Sequence, residues 1–128
     1  MKLSILTPSG TVLEEEVDAV YAKATSGEFG VLPKHIPMVA PLEMEVLRYE
    51  QDSKTHKVSV LGGMFKTDGN SVTVICDAAE LSDQIDAARA QAAKERAEAR
   101  LRENAEDMDL ARAEQALARS IARLKATK

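Results

Sequence analysis

Arginine side chains are concentrated in the last third of the chain, where their spacing suits phosphate binding. Seven of the eight arginines follow residue 85. Arg89 and Arg96 are seven residues apart, so on a helix they share one face. Arg119 and Arg123, four residues apart, share a face in the same way. If the two faces converge, the four guanidinium groups would clamp a polyphosphate, because each planar group forms bidentate hydrogen bonds with phosphate oxygens.

The same spacing also fits a solvated helix face. In that alternative the arginines pair with carboxylates of the same helices: Glu95, Glu98, Glu103 and Glu114. Spacing alone favours this alternative, so the phosphate clamp needs independent support.

Residues 26–42 carry the second group of candidate residues. Three prolines exclude a helix and two glycines allow tight turns, so we expect a fixed, shaped loop: Pro33, Pro37, Pro41, Gly27 and Gly30. Such a loop would present Glu28 and His35, and loops held by a rigid scaffold are common binding surfaces. The alternative is that His35 is a structural residue bonded to nearby backbone.

Catalytic and metal chemistry find little support in the sequence. The chain has two histidines. Near His35 the sequence shows no carboxylate together with a serine or cysteine in a nucleophile motif. Neither a catalytic triad nor a zinc site is predicted. The single cysteine, Cys76, ends the apolar run 72–75, which predicts a small buried hydrophobic residue.

Composition narrows the class of protein further. The net charge of −4 and the four aromatic residues provide neither a basic stripe nor base-stacking platforms, so nucleic acid is a poor candidate partner. No stretch approaches 18 consecutive apolar residues, and Met1 and Lys2 lead directly into a strand-like segment. We therefore expect a soluble cytoplasmic protein with one main domain in its 128 residues.

The first 80 residues show the two-residue period of strands, separated by turn signals. Residues 44–46, 58–60 and 72–76 alternate between apolar and polar types. The sequences 7–10 (TPSG) and 68–70 (DGN) predict tight turns. Several short strands are therefore expected over residues 1–81, and strands this short and numerous usually close into a sandwich or a barrel.

From Ser82 onward the pattern is that of helices, rich in alanine and without glycine or proline. Ser82 or Asp83 is predicted to cap a first helix that ends near Glu103. Asn104 would end it, and Asp107 or Asp109 would start a second helix that reaches about Ala126. The result is an antiparallel two-helix hairpin over residues 82–128. An apolar stripe on the second helix should face the first: Leu110, Ala113, Leu117, Ile121 and Leu124.

The hairpin has few large apolar side chains, so its docking onto the sandwich should be weak. Residues 83–126 contain only seven: Ile85, Leu101, Met108, Leu110, Leu117, Ile121 and Leu124. Because both helices are rich in alanine, each can stay helical away from the sandwich. An element that adopts two arrangements needs this property. A permanently packed hairpin is the alternative.

Three motifs resemble the ε subunit of bacterial F-type ATP synthases. Residues 26–37 (SGEFGVLPKHIP), continued by Leu42-Glu43, are similar to a conserved loop of that family. Residues 61–63 (LGG) resemble its central glycine pair, with Met64 where an aromatic is usual. Residues 85–90 (IDAARA) are similar to the nucleotide-binding motif of Bacillus-like members.

The resemblance implies that residues 1–81 form a flattened sandwich of about ten strands on the central stalk, between the γ subunit and the membrane ring of c subunits. It implies a mobile hairpin that extends along γ toward the α/β catalytic head and inhibits ATP hydrolysis, while ATP favours the compact form. The chain would contribute to proton-driven ATP synthesis at the cytoplasmic face of the bacterial cell membrane, as a peripheral protein held there by the complex. It would be a non-catalytic subunit without a required cofactor, with ATP as a regulatory ligand.

The resemblance also assigns residues one by one. The adenine side would be met by Glu80, Ile85, Asp86 and Ala90, and the phosphates by Arg89, Arg96, Arg119 and Arg123. Glu28, Phe29 and His35 would lie at the rotor interface with γ and the c ring. The alternative from another class is a free nucleotide-sensing adaptor unconnected with a motor, which would need the arginine clamp but not the proline-rich loop.

Overall fold

The computed structural model describes residues 1–103 and 110–127. Within them, strands come first: β1 (Lys2–Thr7), β2 (Gly10–Glu16), β3 (Ala19–Ala24), β4 (Gly27–Val31), β5 (Met38–Gln51), β6 (Lys54–Thr67), β7 (Ser71–Ile75) and β8 (Ala79–Leu81). A 3₁₀ turn over Ser82–Gln84 precedes the helices α1 (Ala87–Glu103) and α2 (Leu110–Ala126). The strands form one mixed sheet in the order β2-β1-β7-β6-β5-β3-β4, with β8 paired to β6.

Both predicted tight turns are present. The first joins β1 to β2, where Thr7 pairs with Gly10. At the second, between β6 and β7, the Asp68 carboxylate accepts hydrogen bonds from the backbone N–H groups of Asn70 (2.9 Å) and Ser71 (2.8 Å). These two bonds favour the ionised form and lower the pKa of Asp68. The turn residues thus fix the strand pairing locally.

Strands β5 and β6 are 14 residues long, which corrects the expectation of short strands. Val58 and Val60 face the core before the pair Gly62-Gly63, and Phe65 faces it afterwards. Side chains alternate along a strand, so this change from even to odd positions means that β6 reverses its inward face at the glycines. Both glycines have positive φ, +76° and +133°, and a Cβ on Gly63 would collide with the carbonyl oxygen of Ile75.

The sheet folds over on itself to enclose one core. Phe29 on β4 contacts Phe65 on β6 edge-to-face, with ring centroids 4.9 Å apart, although β3 and β5 separate these strands in the sheet order. The predicted sandwich is therefore confirmed, built in the described residues from eight strands rather than about ten. Cys76 is buried as predicted, and desolvation raises the pKa of its thiol to about 11.

The expected loop over residues 26–42 is largely strand. Gly27–Val31 forms β4 and β5 begins at Met38, so only residues 32–37 are irregular. Pro41 is tolerated in β5 because the pairing of β5 with β3 ends at Leu42, and a strand accepts proline where one side is unpaired. Residues 32–37 pack on the β6–β7 turn, where Lys34 N–H donates to the Gly69 carbonyl at 2.8 Å.

The start of the first helix differs from the prediction. Ser82 and Asp83 lie in the 3₁₀ turn, and the extended backbone of Ile85 (φ −85°, ψ 126°) separates that turn from α1. Asp86 is the cap instead, because its Oδ1 accepts a hydrogen bond of 3.0 Å from the backbone N–H of Arg89. The predicted ends near residues 103 and 126 are confirmed. The predictions for Asn104, Asp107 and Asp109 lie outside the described residues.

Small side chains dominate the packing of the hairpin. Ala90 and Ala97 on α1, and Ala113 and Ser120 on α2, are buried. From the predicted stripe, Ile121 and Leu124 border a groove beside Gln91 and Lys94 of α1, so this part faces α1 as expected. The side chain of Leu110 is outside the described residues.

Helix α2 is the one that packs on β5 and β6 of the sandwich. Ala122 and Ala126, four residues apart on α2, are both buried, and Arg123 and Lys125 beside them form ion pairs with Glu80 and Glu45 of the sandwich. The alanine side chains bury little apolar area, which is consistent with weak docking. Neither described helix combines the length and hydropathy needed to span a membrane.

Candidate functional site

A cleft of about 370 Å³ lies between the end of the sandwich and the two helices. Its walls are formed by Glu80, Gln84, Ile85, Asp86, Arg89, Ala90, Ala93, Arg96 and Arg123. Seven of the eight residues predicted to contact a nucleotide thus share one concave surface, and the cleft has the size of a small-ligand site. The predicted convergence of the two arginine faces holds for Arg89, Arg96 and Arg123.

Local structure positions each wall of the cleft. The pairing of β8 with β6 fixes Glu80 through its register with Ser59. The 3₁₀ turn carries Gln84 and places Ile85 before the Asp86 cap. Helix α1 then presents Arg89, Ala93 and Arg96 along one face, because residues four and seven apart lie above one another. Helix α2 supplies Arg123 from the opposite wall.

One arginine of the cleft already has a carboxylate partner. Arg123 Nε donates to Glu80 Oε1 at 2.7 Å, and 34% and 35% of the two side chains remain exposed. By contrast, the guanidinium groups of Arg89 and Arg96 form no hydrogen bond or ion pair with any described residue. Three arginines against the two carboxylates Glu80 and Asp86 leave the cleft with excess positive charge. Such a surface attracts anions.

The solvated-face alternative predicted ion pairs between these arginines and nearby glutamates. In the described part of the chain, Glu95, Glu98 and Glu114 form no ion pair with them. Glu95 instead accepts a hydrogen bond from Gln91 Nε2 at 3.2 Å. The side chain of Glu103 lies outside the described residues. Because Arg89 and Arg96 are not paired with these glutamates, the structure favours the phosphate clamp over the solvated helix face.

Arg119 is the predicted site residue that the cleft wall does not include. It lies one turn before Arg123 on α2 and is half-buried. Its contact with phosphate stays a prediction.

The three residues predicted for the rotor interface are separated in the structure. Glu28 is exposed on β4 opposite Lys23. Phe29 turns its ring toward the core and packs on Phe65, so it supports β4 from the inside. His35 Nδ1 donates to the carbonyl oxygen of Ile36 at 2.7 Å, which agrees with the structural role given above as the alternative. Their contact with a rotor stays a prediction.

An exposed apolar row on the sandwich was not anticipated from the sequence. Leu6, Ile75, Met64 and Pro41 pair in register across β1, β7, β6 and β5. Ile75 is 58% exposed and Met64 43%, and Val39, two residues before Pro41 on the same face of β5, is 60% exposed. These residues give this face of the sandwich a contiguous apolar surface. Among residues 1–103 and 110–127, no cluster of three or more His, Cys, Asp or Glu side chains could hold a metal ion.

Two family models divide the chain between them. The model of the ATP synthase Delta/Epsilon chain beta-sandwich domain matches residues 1–82, and that of the ATP synthase Delta/Epsilon chain long alpha-helix domain matches residues 83–128. The chain belongs to the ATP synthase delta/epsilon chain family. The resemblance predicted from the motifs is thereby confirmed.

Individual family members agree with this assignment. The ATP synthase epsilon chain of Anoxybacillus flavithermus is 52% identical over 101 residues, which cover 79% of this chain and 75% of the relative. That of Bacillus licheniformis is 44% identical over 108 residues, covering 84% and 82%. A chain in the cryo-EM structure of the Euglena gracilis mitochondrial ATP synthase (OSCP/F1/c-ring, rotational state 1) superposes with a TM-score of 0.81 at 26% identity, covering 97% of this chain and 78% of that one.

Within this family fold, two cleft residues were missed from the sequence. Ala93 could have been found, because it lies four residues after Arg89 on the predicted phosphate-facing side of α1. Gln84 gave no such signal, since its place in the cleft depends on a 3₁₀ turn where the sequence predicts continuous helix.

Proposed function

We propose that this chain is the ε subunit of a bacterial F-type ATP synthase, and that its hairpin regulates ATP hydrolysis in response to ATP. The sandwich attaches to the γ subunit and the c ring of the central stalk. The hairpin binds ATP when docked and extends toward the α/β head when undocked. The observation that carries the regulatory part is the cleft, where Arg89 and Arg96 face Arg123 without carboxylate partners of their own.

The composition of the cleft supports a nucleotide as ligand. Arginine forks bind phosphate oxygens in bidentate fashion and keep their charge when partly desolvated. In the same cleft, Glu80 offers a hydrogen-bond acceptor and Ile85 an apolar surface for a base. Among the residues that the structure describes, the cleft lining includes no serine, threonine, cysteine or histidine that could act as a nucleophile. Binding without catalysis is therefore the role we assign to it.

The position of the cleft supports regulation by ATP. Its walls come from β8, α1 and α2 together, so the complete site exists only while the hairpin is docked. A ligand that binds one arrangement shifts the equilibrium by RT ln(1 + [L]/Kd), about 2.7 kcal/mol at a hundredfold excess over Kd. The buried alanines Ala122 and Ala126 contribute little apolar area and the ion pairs of α2 with the sandwich are partly exposed, so we expect a bias of this size to shift the docking equilibrium.

Rotor attachment is supported by the apolar row on the sandwich. Ile75 and Met64 lie on the outer face of β7 and β6, and burying them against a partner would remove apolar surface from water. Through the complex alone, the chain would be held at the cytoplasmic face of the cell membrane.

Co-expression with the α, β and γ subunits of the same organism tests the proposal. We expect the chain to co-purify with them in stoichiometric amount and to inhibit ATP hydrolysis at low ATP, with the inhibition relieved as ATP rises. Purification of the α, β and γ complex without this chain would contradict the motor assignment. Inhibition that does not depend on ATP would contradict the regulatory part alone.

A further inference from the structure

Ser59 is a polar residue in the middle of β6 that is fully buried, with 0% of its surface exposed. Its neighbours Val58 and Val60 both belong to the core of the sandwich. Because successive side chains of a strand point to opposite faces, Ser59 points away from that core, toward the outer face of the sheet. A side chain there is buried only if another element covers it.

Helix α2 is the element that covers Ser59. Ser59 pairs with Glu80 of β8, and cross-strand partners lie on the same face of a sheet. The Glu80 carboxylate accepts the hydrogen bond from Arg123, so this face is the one on which α2 lies. Helix α2 also packs on β5 and β6, with Ala122 and Ala126 buried. Ser59 therefore lies in the docking interface between hairpin and sandwich.

The Ser59 hydroxyl has no hydrogen-bond partner among the described residues. A buried hydroxyl without a partner costs free energy, because it has given up its bonds to water and received none in return. When the hairpin leaves, Ser59 lies on an open sheet face and water can reach it again. The cost therefore falls on the docked arrangement alone.

We propose that the Ser59 hydroxyl destabilises the docked hairpin and so keeps it ready to leave the sandwich. This inference rests on the part of the proposed function that gives the hairpin two arrangements. The hydroxyl makes no hydrogen bond to a described residue of the sandwich, so the strand pairing does not depend on it. The hydroxyl reduces the free-energy difference between the docked and undocked states. A ligand that binds in the neighbouring cleft can then shift the equilibrium toward the docked state.

Amide hydrogen exchange of the full chain without nucleotide tests this inference. Once α2 has left the sandwich, the backbone hydrogen bonds of this 17-residue helix open transiently at little cost even though the helix persists on average, so undocking lowers the protection of its amides. In Ser59→Ala, exchange of these amides should be slower by about five- to a hundredfold, as expected when an unsatisfied buried hydroxyl is removed. Exchange in the core strand β7 should change less.

Ser120→Ala is the matched control. Ser120 is also buried and lies on α2, but its hydroxyl already donates to the Ala116 carbonyl at 3.0 Å. Because alanine is the better helix former, Ser120→Ala should slow exchange of α2 by about twofold at most, well below the effect expected at Ser59. Equal slowing in the two variants, unchanged exchange in Ser59→Ala, or equal slowing in α2 and β7 would overturn the inference.

The same experiment separates this inference from the proposed function. If the α2 amides of the unsubstituted chain exchange as slowly as those of β7, the hairpin does not leave the sandwich, and the two-arrangement part of the proposed function fails together with the inference. If α2 exchanges faster than β7 but Ser59→Ala does not slow it, only the role of Ser59 fails.

Discussion

Arg123 of α2 donates a hydrogen bond of 2.7 Å from Nε to Oε1 of Glu80 on β8. A second charged contact joins Lys125 Nζ to Glu45 Oε1 at 3.2 Å. Both contacts cross from the hairpin to the sandwich, so they favour the docked arrangement. About a third of each side chain in the Glu80–Arg123 pair is exposed, and solvent therefore screens the attraction.

Glu80→Gln should weaken docking by a small amount, because it removes the charge and keeps the size of the side chain. A partly exposed pair contributes up to about 1 kcal/mol, so exchange of the α2 amides should become about two- to fivefold faster at low ionic strength. The difference should shrink in molar salt. Glu43→Gln is the control, since Glu43 is exposed and forms no ion pair with a described residue. Equal effects of the two substitutions would contradict a docking role for this pair.

Ile75→Ser should weaken assembly without weakening the fold. Ile75 is exposed in the middle of the apolar row, so its removal leaves the core intact and takes apolar area from the proposed interface with the rotor. A loss of affinity for γ of about tenfold is expected for a central interface residue. Surface-immobilised γ can be used to measure it, and chemical denaturation to check stability. Lys54→Ser, exposed at the β5–β6 turn, should bind normally. Unchanged affinity of the Ile75 variant would place the rotor interface elsewhere.

The stability of the sandwich should fall at alkaline pH in a way that depends on Cys76. Burial raises the thiol pKa from 9.0 to about 11, so between these values the unfolded chain loses a proton that the folded chain keeps. The contribution of the protonated thiol to the free energy of unfolding is fully present below pH 9 and is lost as the pH rises toward 11. Denaturant midpoints at pH 8 and 10.5 should therefore differ more for the unsubstituted chain than for Cys76→Ala. An equal decline in both proteins would show that the thiol does not contribute.

Local sequence patterns determine some features of this structure and not others. The phosphate-facing rows of arginines were predictable because a helix repeats regularly, and Arg89 and Arg96 needed only that repeat. The start of the first helix was not predictable from the sequence. Asp86 can be recognised as the cap only when it is known that strand β8 and the 3₁₀ turn include the residues before it.

Features that depend on distant contacts were also missed. Strand β6 reverses its inward face at Gly62-Gly63 because it runs through both layers of the sandwich. The two-residue period of the sequence does not predict this reversal. Burial of Ser59 follows from the docking of α2, more than 50 residues further along the chain. The exposed row through Ile75 and Met64 depends on strand order, and strand order is a property of the whole sheet.

Calorimetric titration with ATP determines whether the cleft binds a nucleotide, and it needs three proteins: the unsubstituted chain, Arg89→Ala and Arg102→Ala. Both arginines are exposed on α1, but only Arg89 lines the cleft, so the two substitutions differ in position and not in chemistry. Loss of one charge-assisted contact should weaken ATP binding by about ten- to a hundredfold in Arg89→Ala. Arg102→Ala should bind within about twofold of the unsubstituted chain, as expected for a surface charge outside the site. Absence of ATP binding by the unsubstituted chain at millimolar ligand, or equal losses in the two variants, would contradict the assignment of the cleft.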